Sequence, residues 1–318
     1  MQTVSKEIKI SGVGFHSGKP VTMIIKPSKK PGIFFKRIDL PGTDLIPATY
    51  DNVDATHLRN TTVGNLKGAH VRTIEHLMAA LYVFGVDNAI IEIDGPETLI
   101  LDGSAKKFCE LFEETRDKRK ETRKKIIIKK EIIARKSEVL KTLPWMLRFK
   151  LGLYNLTHKK LTAGGKNDEF VRLYPYAKGL KINARIIYPM SVIGDQSYEF
   201  LLDDSAKARE KFIKEIAPAR TFGSLAEWEY LKKRGMAHGA NLENVIALNK
   251  AGDGTLNPLY FPDEFVRHKV IDILGDMYTA GGFIIGGIES YKGSHALNNL
   301  ALRKLFADPD NYDIIEEQ

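Results

Sequence analysis

The chain has a single cysteine, Cys109, so neither an intramolecular disulfide nor a thiolate-rich metal centre can form, and any bound metal has to be held by His, Asp or Glu. It has no apolar run approaching the ~20 residues that a membrane-spanning helix requires. The opening stretch MQTVSKEIKI lacks the basic-then-apolar order of a secretory signal, so a cytoplasmic protein is expected. Acidic residues are the minority charge, 40 against 48 Lys and Arg. That imbalance would point to a polyanionic partner if it were spread over the chain, but it is not. Residues 116–136 hold eleven Lys or Arg and three Asp or Glu, which is the whole of the +8 excess. A phosphate-tracking surface distributes its cations over a folded face and interleaves stacking aromatics, whereas this run lies between two patterned halves; no nucleic-acid partner is expected.

What is present is enough apolar material, 43% of 318 residues, for one large core or two ordinary ones. Residues 3–40 alternate apolar and polar side chains between turn signals at Gly12, Gly14, Gly18, Pro27 and Pro31-Gly32, which predicts strands. VRTIEHLMAALYVFG, 71–85, sets Ile74, Leu77, Met78, Leu81 and Tyr82 on one stripe and ends on glycine, as an amphipathic helix does. A strand over 87–95 and a helix over 102–115 follow. Beyond the basic run the pattern restarts: IIIKKEIIA reads as a strand, as does 182–189, with helices expected over about 205–216, 224–234 and 263–280. GGFIIGGIESY is a further strand and SHALNNLALRKLF a closing helix. The expected fold class is α+β with two similar domains, 1–122 and 123–318, each a sheet layered on helices. A basic and aromatic segment at about 135–168, containing Trp145 and Phe149, is extra to that plan; it reads either as an added packed hairpin or helix, or as a surface in weak peripheral contact with anionic membrane.

Two clusters carry ligand chemistry. Glu75 and His76 are adjacent on the first helix, roughly 100° apart around its axis, which suits a base beside a metal ligand. His268 and Asp272 in RHKVID stand at i and i+4, one turn apart on one face. Two imidazoles and a carboxylate leave a fourth position for water, the arrangement of a catalytic metal site; the same pairs also occur as ordinary surface electrostatics, so spacing leaves both readings open. His295, at the head of the closing helix, suits capping, core or acid-base roles. His16, His57, His70, His158 and His238 have no such neighbours and are expected to be structural or exposed.

SGVGFHSGKPVTMIIKPS, NTTVGN, VRTIEHLMAAL, DNAIIEIDGPE with LILDGSA, APARTFG, DEFVRHKVIDILGD and SHALNN together resemble, in order and spacing, the motifs of UDP-3-O-acyl-N-acetylglucosamine deacetylases. The resemblance spans the chain apart from about 135–168. It implies two α+β domains with the active site at their interface, and one Zn2+ per chain held by His76, His268 and Asp272. It implies Glu75 as general base, His295 as general acid charged by Asp276, and Thr221 as the hydroxyl that steadies the oxyanion. Lys269 and Phe222 match substrate-binding positions. The implied substrate is UDP-3-O-acyl-N-acetylglucosamine, deacetylated on the way to lipid A, by a protein that is cytoplasmic or peripheral at the inner membrane.

Ile186 and Tyr174 stand where the family can present an aromatic ring and a lysine to the nucleotide, with Lys178 or Arg185 as substitutes. Phe15, Leu225, Trp228, Ala237 and Val245 are candidates to line an acyl passage, or plain core. A zinc deacetylase of another acylated amino sugar, or a non-catalytic lipid-binding relative, are the rival readings.

Overall fold

The structure is a computed structural model describing residues 3–57, 59–64, 68–115, 123–142, 169–203 and 205–316. The strand pattern of the opening residues is realised as β1 (Ile8–Val13), β2 (Pro20–Pro27) and β3 (Gly32–Arg37), followed by the short β4 (Ile46–Pro47). Period-two alternation decides their inner face: Val21, Met23 and Ile25 of β2 are all buried. A two-strand ladder of β5 (Val63–Gly64) and β6 (His70–Val71) precedes helix α1 (Glu75–Phe84), and β7 (Asn88–Ile93) returns to the sheet, whose order is β1-β2-β7-β3-β4. β3 and β7 are parallel neighbours, so the crossover between them has to carry a helix, and it carries α1. α2 (Lys106–Thr115) packs beside it.

The second sheet uses the same device. β8 (Lys125–Ile128), β9 (Ile132–Arg135), β10 (Phe170–Tyr174), β11 (Leu180–Ile187), β12 (Asp195–Leu202), β15 (Phe283–Tyr291) and β16 (Tyr312–Ile315) form it, in the order β12-β11-β15-β10-β9 with β8 beside β15 and β16 beside β8. β11 and β15 are parallel, and the chain between them passes through α4 (Ala206–Lys211), the parallel pair β13 (Phe222–Ser224) and β14 (Ile246–Leu248) with α5 (Leu225–Lys232), and α6 (Glu264–Tyr278). α7 (His295–Phe306) closes over the sheet, and α3 (Lys136–Thr142) lies against α7 and β9. The α+β class is therefore as expected, with each sheet carrying its own helices. Among the described residues no helix is long and apolar enough to cross a membrane.

Four local readings change. IIIKKEIIA is two strands, because Lys129 and Lys130 turn away to donate their N–H groups to Asn311 O. The first helix begins at Glu75, four residues later than its pattern suggests, because Val71 is in β6 and Thr73 sits at φ 58, outside helical space. Residues 102–105 form a turn in which Asp102 Oδ1 accepts from Ser104 N, so α2 also starts late. α1 is buried over its whole length rather than on one stripe, packing on α2 and on α6 of the other half. Its end is set by Gly85, whose left-handed φ of 70 lets its N–H reach Leu81 O and Tyr82 O. The basic and aromatic stretch from 143 to 168, with Trp145, Phe149 and His158, lies outside the described residues.

Helix α1 packs directly on α6. The crossing is close because Gly275 faces Glu75: a Cβ there would stand 2.0 Å from Glu75 O and 2.7 Å from its carbonyl carbon. The bare backbone of one helix thus lies on the first turn of the other, which brings residues 75–76 to residues 268–276.

Candidate active site

Glu75, His76, His268, Asp272 and Asp276 are each at most 4% exposed. On α6, one helical turn sets His268 Nε2 3.5 Å from Asp272 Oδ1; across the crossing, His76 Nε2 lies 3.8 Å from the same oxygen. The two imidazoles meet edge to face at 4.9 Å. One ligand atom from each of the three residues lies within 4.8 Å of the others, so together they are able to hold a metal ion.

Protonation favours the same use. Burial, with His268 nearby, pushes the His76 pKa down to about 3, and burial lowers that of His268, so both rings are neutral and available as ligands. Burial opposes ionisation of Asp272, but the positive charge of Lys269 beside it outweighs that and holds the carboxyl below the usual range. His268 Nδ1 donates to Ala219 O at 3.0 Å, which leaves Nε2 facing Asp272 with its lone pair. The carbonyl is itself fixed: the neighbouring Arg220 is held by buried Glu264 through Nε at 2.9 Å and through its main-chain N–H at 3.1 Å.

Beside the ligands stand two titratable groups of opposite tendency. Burial raises the Glu75 pKa to about 7, partly offset by the charge of His295. For His295 burial disfavours the cation, but the charge of Asp276 and its hydrogen bond, Nδ1 to Oδ2 at 2.9 Å, prevail and raise the pKa to about 9. Two groups whose surroundings move their pKa values in ways that suit opposite proton-transfer roles therefore share one pocket. That pocket has a volume of about 390 Å³, and its wall includes Glu75, His76, His268, Asp272, His295 and Thr221. Lys269 Nζ donates to Asp272 Oδ2 at 2.8 Å and stands 5.6 Å from the centre of the Phe222 ring.

The other expected contacts divide. Phe15, Trp228, Ala237 and Val245 line the same pocket, as do Lys269 and Phe222, whereas Leu225, the first residue of α5, is not among its lining residues. Ile186 and Arg185 border a smaller cleft with Lys269 and His295; Lys178 is exposed and Tyr174 packs against Arg172, and neither borders it. Arg185 is held at that rim by Asp195, Nε to Oδ1 at 2.9 Å. His16, expected to be structural or exposed, lines the larger pocket with Nε2 3.2 Å from Asn60 Nδ2. The SGVGFHSGK stretch offers a sign of this only in hindsight: its glycines allow the turn in which Glu97 accepts from the N–H groups of His16 and Ser17. Thr61 and Asn298, unassigned in the sequence, both bond to Asp276.

Two imidazoles and a carboxylate able to hold a metal ion, with the buried carboxyl of Glu75 and the imidazole of His295 in the same pocket, match a mononuclear metallohydrolase type of site. Residues 1–307 match the model of the UDP-3-O-acyl N-acetylglycosamine deacetylase family, and the chain belongs to that family. It is 37% identical over 317 residues to the UDP-3-O-acyl-N-acetylglucosamine deacetylase of Shewanella frigidimarina, covering 99% of this chain and 92% of the relative. To the enzyme of that name from Neisseria meningitidis serogroup A it is 36% identical over 320 residues, with the same coverage.

Proposed function

We propose that this chain hydrolyses the acetamide of UDP-3-O-acyl-N-acetylglucosamine, giving acetate and the free amine in the route to lipid A, with one zinc ion held by His76, His268 and Asp272. The observation that carries the reading is the convergence, inside a full-length family match, of those three ligands with Glu75 and His295 in one pocket.

Zinc at these ligands supplies Lewis acidity, making water a stronger acid and an amide carbonyl a better electrophile. Glu75 takes the proton of the attacking water, its raised pKa matching it to that task near neutrality. The Thr221 hydroxyl donates to the oxygen that gains charge, a contact commonly worth ~3 kcal/mol in such holes. His295, kept cationic by Asp276, protonates the amine nitrogen so that the C–N bond breaks rather than the new C–O bond. Lys269 holds substrate through its ammonium, and Phe15 and Trp228 face the acyl chain.

Acetate release should therefore be bell-shaped in pH when followed as kcat/KM. The working forms are Glu75 deprotonated and His295 protonated, so the rate rises through a pKa of about 7 or lower and falls through about 9. A nearby divalent cation favours the carboxylate, which moves the acid limb down, not up. His295→Gln should remove the falling limb; a falling limb that survives would reassign the acid.

The experiment that separates substrates is acetate release from the UDP-linked acyl sugar beside the same sugar without its acyl chain and beside acylated amino sugars without UDP. Efficient turnover of the first alone is expected, and equal turnover of a non-nucleotide sugar would favour a different acylated amino sugar as substrate.

Such a substrate, anionic at one end and lipidic at the other, suits a protein working in the cytoplasm at the inner-membrane surface. The basic and aromatic segment is suited to hold it there, since each Lys or Arg near an anionic surface contributes about 1 kcal/mol and is screened by salt. Co-sedimentation with anionic vesicles at low salt and release at high salt is expected, weakened by replacing Trp145, Phe149 and neighbouring lysines. Equal binding to neutral vesicles, or none to either, would leave the segment as an added packing element.

A further inference from the structure

NTTVGN belongs to the family pattern yet has no part in the chemistry above, and its second residue, Thr61, bonds to both Glu75 and Asp276. Thr61 is 3% exposed and lies in the loop before β5. Its main-chain N–H donates to Glu75 Oε2 at 3.0 Å. Its hydroxyl donates to Asp276 Oδ1, and the same Oγ1 is 3.3 Å from His295 Nδ1. We infer that Thr61 is a positioning residue that locks the proton-taking and proton-giving sides of the site into a single geometry. This rests on the assignment of Glu75 as base and of His295 with Asp276 as acid.

Donor and acceptor counting supports the bridge. Asp276 Oδ2 already accepts from His295 Nδ1 at 2.9 Å and from Asn298 Nδ2 at 2.7 Å, so the single hydroxyl proton of Thr61 goes to Oδ1. Three donors from separate positions then fix the plane of the carboxylate, and with it the tilt of the His295 ring. Asn298 and His295 share α7 with one another, but Thr61 comes from the first half of the chain, as Glu75 does. Its amide and hydroxyl are a few bonds apart on one rigid β-branched residue, so the two carboxylates cannot shift independently while both bonds hold. Ile74 N donates to Thr61 O at 3.3 Å, which ties the loop to the entrance of α1 from the other direction.

The test compares Thr61→Val and Thr61→Ser in the metal-loaded enzyme, reading kcat, KM, metal content and melting temperature. Valine keeps the shape and the amide but loses the hydroxyl; serine keeps both donors. Thr61→Val should lower kcat about ten- to a hundredfold, with KM within about twofold and metal retained, because loss of alignment at a reacting centre appears in kcat. Thr61→Ser should stay within about threefold of the wild type. In an Asp276→Asn background the valine change should cost much less, since the two act through one contact. If valine at 61 does not fold, Thr61→Ala takes its place in the same set. Unchanged kcat in the variant lacking the hydroxyl, equal loss in Thr61→Ser, or full additivity with Asp276→Asn would each overturn the inference. Glu75→Gln and His295→Gln, run alongside, separate this from failure of the acid-base assignment: normal turnover in either removes the assignment itself.

Discussion

Glu75→Gln is expected to lower kcat for acetate release by roughly 10²- to 10⁴-fold while leaving the metal content of the protein unchanged. Glutamine is nearly isosteric, and its carbonyl oxygen can still accept the Thr61 N–H that Glu75 Oε2 now accepts at 3.0 Å. The pocket should therefore keep its shape. What disappears is the only property the mechanism asks of residue 75, the capacity to take up a proton. His76, the next residue, projects to a different side of α1 and remains opposite His268 at 4.9 Å, so the ligand set survives. His76→Ala supplies the contrasting result, loss of metal and of activity together. Metal analysis beside a turnover assay distinguishes the two, and a Glu75→Gln protein with normal turnover would show that another group is the base.

The second large effect is expected at a contact between two helix backbones rather than at a side chain of the site. Gly275→Ala adds one methyl group at a point where it would lie 2.0 Å from Glu75 O, whereas relaxed C···O contacts fall at about 3.3–3.6 Å. The obstacle is backbone, not the end of a side chain that can rotate away, so α1 and α6 have to separate by something on the order of 1 Å. Alanine favours helix over glycine by about 1 kcal/mol, which offsets part of the overpacking cost of about 1–3 kcal/mol, so the variant should still fold. The proposed ligands, however, are divided between the two helices, with His76 on α1 and His268 and Asp272 on α6. A displacement of that size should lower metal affinity and reduce kcat/KM by about a hundredfold. Competition with a chelator and steady-state kinetics measure the two effects; wild-type metal affinity in Gly275→Ala would mean that the crossing distance does not set the site.

The same crossing explains how far the sequence carries a reader. Within one helix, spacing is enough: His268 and Asp272 at i and i+4 do share a face, and their polar atoms meet at 3.5 Å. That α1 lies against α6 is a tertiary fact, fixed by a glycine whose local signature is indistinguishable from that of any glycine inside a helix. Thr73 gives a second example. A β-branched residue at φ 58 is an uncommon choice that nothing in VRTIEHL announces, and it delays the helix until Glu75. The parallel pairings of β3 with β7 and of β11 with β15 are likewise long-range, although each follows once a helix must bridge two strands of one sheet. Apolar composition marks Phe15 and Trp228 as pocket wall and Leu225 equally so, yet only the first two line it. Thr61 is hardest to read in advance, since half of its contribution comes from a main-chain N–H that every residue but proline possesses.

The most direct measurement is metal-dependent acetate release. The purified chain is stripped with a chelator, reloaded with one equivalent of zinc, and assayed on UDP-3-O-acyl-N-acetylglucosamine beside His268→Ala treated in the same way. Zinc bound at one per chain, with activity lost on stripping and restored on reloading in the wild type but not in His268→Ala, is the expected result. Undiminished acetate release from the stripped protein, or zinc-restored release in His268→Ala equal to that of the wild type, would contradict it.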